Sequence, residues 1–240
     1  AATISDSSGN VLFYPDWTKV FTKTNILLNS NGMVWPGTQG RAIVHWPGQE
    51  KLYYIFSACP PSGYGEGVFY YSIVDYNENN GLGAVTEKNV VVEAGIGVTD
   101  LIATVRLEDS QNVWVIVRIY TDDAYAAFLV DENGLNPIPV LSYMPYMEDD
   151  IGSDNFIRIS SDKKYMVASY CHAHKLEICR FNSSEGKLEY LYSLTGLGGG
   201  IEGIEFSPDS KYLSLSCGLV DSFNNIDQVD MQLVSDPFAS

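Results

Sequence analysis

Asp100, Asp154 and Glu202 each open a segment that reads as a β-strand. Three carboxylates converging on one funnel could serve as acid, base and pKa modulator in glycoside hydrolysis. The plainer account is that they cap strand ends, as Gln39 would at a fourth such start. The loop YMEDDIGSDN (146–155) packs Glu148, Asp149, Asp150 and Asp154 together. Hard cations want several carboxylate and carbonyl oxygens, so Ca²⁺ is the ion such a loop would take, with Asp149 and Asp150 as ligands. The spacing matches no EF-hand, and an exposed acidic loop is the simpler reading. Cys171-His172-Ala173-His174 sets two imidazoles two apart in a hairpin. On a strand, i and i+2 share a face, so His172 and His174 could reach one Zn²⁺ or Ni²⁺, although a structural zinc site needs four ligands. The loop SACPPSGYGEGVFYY (57–71) carries Tyr64 and Glu66, and with Tyr120, Tyr125, Tyr143 and Tyr146 it could form an aromatic, acidic surface for sugar or peptide. GLGGGIEG lacks the Lys-Ser/Thr of a phosphate loop, and no Gly-x-Ser-x-Gly elbow is present.

The elements that must position these side chains are repeated. FIRISSDKKYMVASYC (156–171) recurs as GIEFSPDSKYLSLSCG (203–218), with Tyr165 mapping onto Tyr212, a step of 47 residues. Each copy reads as strand, tight Ser-x-Asp turn, strand; Pro208 presets the turn dihedral and Asp209 can bond the backbone behind it. A self-similar unit of about 40–50 residues made of short strands is the signature of a β-propeller blade. Three further segments fit the unit, beginning at residues 1, 40 and 100. Aromatic anchors Tyr53, Trp114, Tyr165 and Tyr212 step through the second strands. The expectation is one all-β domain over 1–240, with about five four-stranded units. The first unit lacks a clear fourth strand, and the last, ending DQVDMQLVSD, stops after its third, so further blades beyond Ser240 are expected. In such an array the inner-strand starts and the second-to-third-strand loops share one face.

Composition narrows the partners. Thirty Asp+Glu against 14 Lys+Arg give a formal net charge of −16, which argues against nucleic acid and anionic membranes, since both demand clustered cations. No run of 18 apolar residues predicts a transmembrane helix. The opening AATISDSSG begins in strand-and-turn material and reads as the start of a mature or trimmed chain. Cys59, Cys171, Cys179 and Cys217 are too few for a disulfide framework; a local Cys171–Cys179 bridge is one option and buried free thiols the favoured one. Cys217 follows Cys171 by 46 residues, which places both at similar strand ends in adjacent units.

ISDSSGNVLFY (4–14), TQGRAIVHWPGQEKLYYIFS (38–57), YYSIVDYNENNGLGAVTEKNVVV (70–92) and GIEFSPDSKYLSLS (203–216) resemble the WD40-like propeller of large secreted Bacteroidetes proteins. Those proteins often carry adhesion-type repeats and a C-terminal sorting domain for type IX secretion or gliding motility. The resemblance implies a secreted or cell-surface module, part of a ring of six or seven blades, with no catalytic residues to transfer and no cofactor. The resulting expectation is a monomeric, non-enzymatic domain within a larger protein, binding a protein or glycan in an adhesion role through Tyr64, Glu66, Asp100, Tyr125, Asp154 and Glu202. The alternatives are a glycan-active hydrolase using Asp100, Asp154 and Glu202, and a structural spacer.

Overall fold

The computed structural model describes residues 2–28, 41–60, 67–92, 96–108, 110–119, 121–145, 155–197, 200–218 and 225–234. Within them, five antiparallel sheets follow one another along the chain. The first holds β1 (Ile4–Ser5), β2 (Val11–Asp16) and β3 (Lys19–Thr22). The second holds β4 (Arg41–His45), β5 (Leu52–Cys59), β6 (Val68–Asp75) and β7 (Ala84–Val91). The third runs β8 (Val98–Arg106), β9 (Val113–Ile119) and β10 (Ala124–Asp131), whose outer edge is covered in two pieces, β11 (Gly134–Leu135) and β12 (Val140–Tyr143). The gap between those pieces holds Pro137, which has no N–H to give a ladder. The fourth sheet holds β13 (Phe156–Ile159), β14 (Tyr165–Tyr170), β15 (Lys175–Asn182) and β16 (Lys187–Leu194). The fifth holds β17 (Gly200–Phe206), β18 (Tyr212–Gly218) and β19 (Asn225–Asp230).

The repeated sequence makes the same turn twice. Ser160 donates its hydroxyl to Asp162 Oδ1 at 2.7 Å and accepts the Tyr165 N–H at 2.9 Å. Ser207 donates to Asp209 Oδ1 at 2.7 Å and accepts the Tyr212 N–H at 3.0 Å. Both turns carry a left-handed residue at the same place, Lys163 and Ser210, each at φ 59°. The aspartate bonds the backbone two residues ahead, at Lys164 and Lys211, and not behind as the sequence suggested. That is the ordinary reach of an Asx turn.

Four apolar clusters fill the spaces between successive sheets. Phe13, Val20, Ile55 and Val74 join the first sheet to the second; Phe56, Phe69, Val115 and Phe128 join the second to the third. Trp114, Ile116, Met166 and Phe181 join the third to the fourth; Val167, Ile178, Leu213 and Leu215 join the fourth to the fifth. Inner strands are neighbours too, β4 beside β8, β8 beside β13, and β13 beside β17. Middle sheets are therefore covered on both faces, which explains why VWVIVRI in β9 is buried at every position.

The fifth sheet departs from expectation at its end. Pairing stops at Asp230, and Met231–Val234 forms one helical turn instead of continuing the strand. Asp230 Oδ1 accepts the Gln232 N–H at 2.9 Å, and the Met231 N–H goes to the Lys211 carbonyl at 2.7 Å. The i, i+3 spacing turns both Met231 and Val234 into the adjoining apolar cluster.

Candidate functional site

Strand register defines a face. Val98 lies opposite Ile119, and Ala124 opposite both Ile119 and Tyr143. Phe156 lies opposite Ser169, Leu176 opposite Leu194, and Gly200 opposite Gly218. The starts of first and third strands thus gather with the ends of second and fourth strands, as the sequence implied. The opposite face carries the Ser-x-Asp turns.

Under the gathered ends of the third and fourth sheets lies a buried polar network. In β9 the residues of odd number face the second sheet, so period-two alternation turns Trp114, Ile116 and Arg118 toward the fourth. The same alternation, counted within each strand, turns Tyr125 in β10, Tyr170 in β14 and Glu177 in β15 into this one interface. Arg118 Nη1 donates to the Ala124 carbonyl at 2.9 Å and to that of Ile119; Nη2 meets Asp123 Oδ1 at 3.2 Å, and Nε reaches the Tyr170 hydroxyl at 3.4 Å. The guanidinium stands 5.3 Å from the Tyr125 ring centroid, a cation–π placement. The Tyr125 hydroxyl donates to Glu177 Oε1 at 2.7 Å and lies 3.1 Å from the Tyr170 hydroxyl. Glu177 is 0% exposed, and its Oε2 has no hydrogen-bond partner among the described residues.

Desolvation governs the protonation of these groups. Burial holds the Glu177 carboxyl above its ordinary range, opposed by the Tyr125 hydrogen bond and the Arg118 charge. Burial, followed by the neighbouring carboxylate, keeps the Tyr125 phenol far above its usual value, and the Tyr170 phenol is raised by the same two causes. Burial likewise raises the Cys179 thiol. The network therefore holds its hydroxyl protons and acts as a brace. It locks the turn 121–123, whose Asp123 carbonyl also accepts the Met144 N–H at 2.7 Å. Within the fourth sheet, Asn155 Oδ1 accepts the Cys171 N–H at 3.0 Å and fastens the start of the turn 171–174.

The sequence expectations fare unequally against this geometry. Tyr125 is 0% exposed: it is a core residue of the brace and not part of an aromatic surface. The small neighbours Ala124, Ala126 and Ala127 in the same strand make room for its ring. Asp100, at the start of β8, is 1% exposed and closed to a ligand, whereas Glu202 in β17 is exposed, with Oε1 close over Gly218. Their strands belong to the third and fifth sheets, with β13 between. His172 and His174 lie in the exposed turn between β14 and β15, and His174 has a left-handed φ of 49°. The argument that strand alternation puts both on one face therefore does not apply. No group of three or more His, Cys, Asp or Glu among the described residues could hold a metal. Tyr64, Glu66, Asp149, Asp150 and Asp154 lie outside the described residues, as do Gln39, Tyr120 and Tyr146.

The four cysteines are free thiols. Cys179 stands opposite Met166, five residues before Cys171 and so roughly 16 Å along the strand, which rules out a local bridge. Cys171 directly follows β14 and Cys217 is the penultimate residue of β18, so both sit near the ends of equivalent second strands, as their spacing implied.

No family model matches the chain, and no curated protein matches it. Solved structures do. A functionally unknown protein from Desulfotomaculum acetoxidans aligns at 11% identity with a TM-score of 0.54, over 89% of this chain and 61% of that one. A candidate 6-phosphogluconolactonase from Bacteroides fragilis aligns at 14% identity with a TM-score of 0.51, over 88% of this chain and 64% of that one. These neighbours and the five sheets agree on one architecture. The fold is β-propeller-like. The chain spans less than two thirds of either neighbour's length, and at such identities the likeness shows the fold alone. TolB from Acinetobacter baumannii aligns at 14% identity over 89% of this chain and 46% of its own, with a TM-score of 0.37 that carries no argument. Among the described residues no helix is long and apolar enough to cross a membrane.

Proposed function

We propose that this chain is a non-catalytic binding module of β-propeller type, secreted or displayed at a cell surface, whose inner-strand-start face meets a protein or glycan partner. The observation that carries the reading is the buried brace of Arg118, Tyr125, Tyr170 and Glu177. In a low-dielectric core the hydrogen bonds among these four side chains favour one arrangement of the elements they join, although Glu177 Oε2 has no partner among the described residues. Here the network fixes the loop-bearing ends of two neighbouring blades, the rigid support that a binding surface requires. Above it, Tyr143 is 67% exposed at the end of β12, next to the exposed turn at 121–122. An exposed tyrosine gives a partner apolar area with a polar tip. Surface display rests on the sequence resemblance and on the strong negative charge. A carboxylate funnel for hydrolysis has less in its favour, because Asp100 is sealed from solvent.

The test is a thermal-shift screen of the intact chain against a panel of polysaccharides and oligosaccharides, with Tyr143→Ala beside the wild type. Ligands that prefer the folded state raise the melting temperature by mass action. One glycan class should shift the wild type and leave Tyr143→Ala unmoved, while the two unliganded proteins melt alike. A shift that survives Tyr143→Ala would overturn the assignment of this face. A flat screen would overturn the glycan form of the proposal.

A further inference from the structure

On the face opposite the proposed partner surface, a cavity of about 220 Å³ opens where the inner strands end. It lies between the first three blades, since β1, β4 and β8 all contribute to it. Its apolar wall comes from Ile4, Ile43, Val44 and Val113, and its polar side from His45, Thr104, Arg106 and Gln111. No carboxylate is among the described residues that line it, although acids outnumber bases 30 to 14 in the chain.

Arg106 distinguishes this cavity from the rest of the surface. The chain has five arginines. Arg41 donates to the Trp17 carbonyl at 2.7 Å, Arg118 belongs to the buried brace, Arg158 pairs with Glu205 at 3.2 Å, and Arg180 pairs with Glu189 at 2.9 Å. Arg106 has no hydrogen-bond or ion-pair partner among the described residues. The nearest acid in sequence, Glu108, is turned to Lys163 at 3.6 Å. Period-two alternation in β8 sets Thr104 and Arg106 on one face, the face that borders the cavity. His45 is held in place by its 3.3 Å contact with the Glu50 carbonyl and by the edge of the Tyr53 ring at 5.1 Å.

We propose that this cavity is a binding site for a small organic monoanion, a carboxylate on a short branched apolar group. The guanidinium offers a carboxylate two parallel N–H donors, and the Gln111 amide and Thr104 hydroxyl can complete its solvation. The valine and isoleucine wall takes the hydrocarbon. The volume lies below the roughly 300–1,000 Å³ of clefts that hold drug-sized ligands, so the ligand has few heavy atoms. One guanidinium matches one negative charge, and a phosphate dianion would leave a charge unmatched. The chain's overall negative field does not forbid this, because at physiological salt charges beyond a Debye length of about 8 Å are screened.

The experiment uses the intact chain and isovalerate as probe, followed by methyl resonances of the lining residues in NMR titration. Isovaleramide, of nearly the same shape without the charge, is the control ligand. Saturable shifts with isovalerate are expected at the wall residues, with affinity falling about tenfold or more in Arg106→Gln and with isovaleramide. Arg106 is exposed on the strand, so Arg106→Gln keeps the fold, and its spectrum away from the cavity verifies this. Absence of saturable shifts in the wild type would overturn the proposal, and so would equal affinity in Arg106→Gln. Shifts of equal size with isovaleramide would also overturn it, since they would reduce the cavity to an apolar dent.

Discussion

Removing the Tyr125 hydroxyl tests the reading of the buried brace. In Tyr125→Phe the ring keeps its place in the apolar cluster, and the loss is an oxygen that donates to Glu177 Oε1 at 2.7 Å and lies 3.1 Å from the Tyr170 hydroxyl. Glu177 is 0% exposed and its Oε2 is already without a partner, so the variant leaves neither carboxylate oxygen with a donor among the described residues. A hydrogen bond to a charged group contributes about 1.5–3 kcal/mol, and an orphaned buried ion costs more than a neutral group. The expected loss is about 2–4 kcal/mol, below the upper figure of about 5 for breaking a buried pair because Arg118 still faces Asp123. Glu177→Gln keeps an acceptor for Tyr125 and should lose less. Urea denaturation reads both, provided the slope of stability against urea is unchanged from wild type. The pH dependence has a definite sign. Glu177 is held above its ordinary value of 4.5 in the folded state, so the native chain binds more protons there. Its contribution is fully present below 4.5 and is lost as pH rises through the raised folded value. Glu177→Gln should therefore remove a fall in stability that lies between 4.5 and the raised folded value. If Tyr125→Phe costs under about 0.5 kcal/mol, the range of ordinary surface changes, the brace is not a stabilising network and the argument for a rigid face fails.

Two further outcomes concern turns. Gly186 has φ +67°, and an added Cβ would meet Trp114 ring atoms at 2.7 Å, so Gly186→Ala should cost about 2–4 kcal/mol in denaturant unfolding. Gly9, at φ +81° with nothing within 4 Å, should lose only about 1–2 kcal/mol on the same change, which isolates the backbone part. Ser160→Ala removes a 2% exposed hydroxyl that accepts the Tyr165 and Lys164 N–H groups, and should cost about 1–3 kcal/mol by thermal or urea unfolding. The same change also deletes a hydrogen bond that depresses Asp162. That carboxylate's small stabilising share, present above 3.8 and lost in acid, should shrink in the variant's acid titration.

The parts of the fold that depend on near neighbours were readable from the residues. Ser160 and Ser207 sit at matching places because Ser-x-Asp closes a turn through bonds that span at most five residues. The three-stranded first and fifth sheets seen among the described residues, and the shared face of strand starts, follow from counting turns. The buried brace was not read, because its four members come from two sheets and meet only when both pleats have the right parity. A signal was present. Arg118 interrupts the apolar run VWVIVRI, and Glu177 interrupts KLEICRF, where a charge must find a partner across the interface. Tyr125 reads from sequence as a surface residue because a tyrosine serves a binding face and a strand interior equally. The alanines around it were the clue to burial. Met231–Val234 reads from sequence as strand because four apolar-rich residues cannot by themselves distinguish a strand from one helical turn.

Each apolar cluster belongs to one pair of consecutive sheets. The energetics are accordingly those of a short chain of coupled units, each steadied by its nearest neighbours more than by the whole. The third sheet shares its two faces with two such clusters and anchors the buried polar network besides. The first and fifth sheets each share one cluster among the described residues. Among the described residues the coupling is therefore densest around the third sheet, and an opening that breaks it must undo two clusters and the polar network together. A surface carried by the third and fourth blades sits where such openings are costliest.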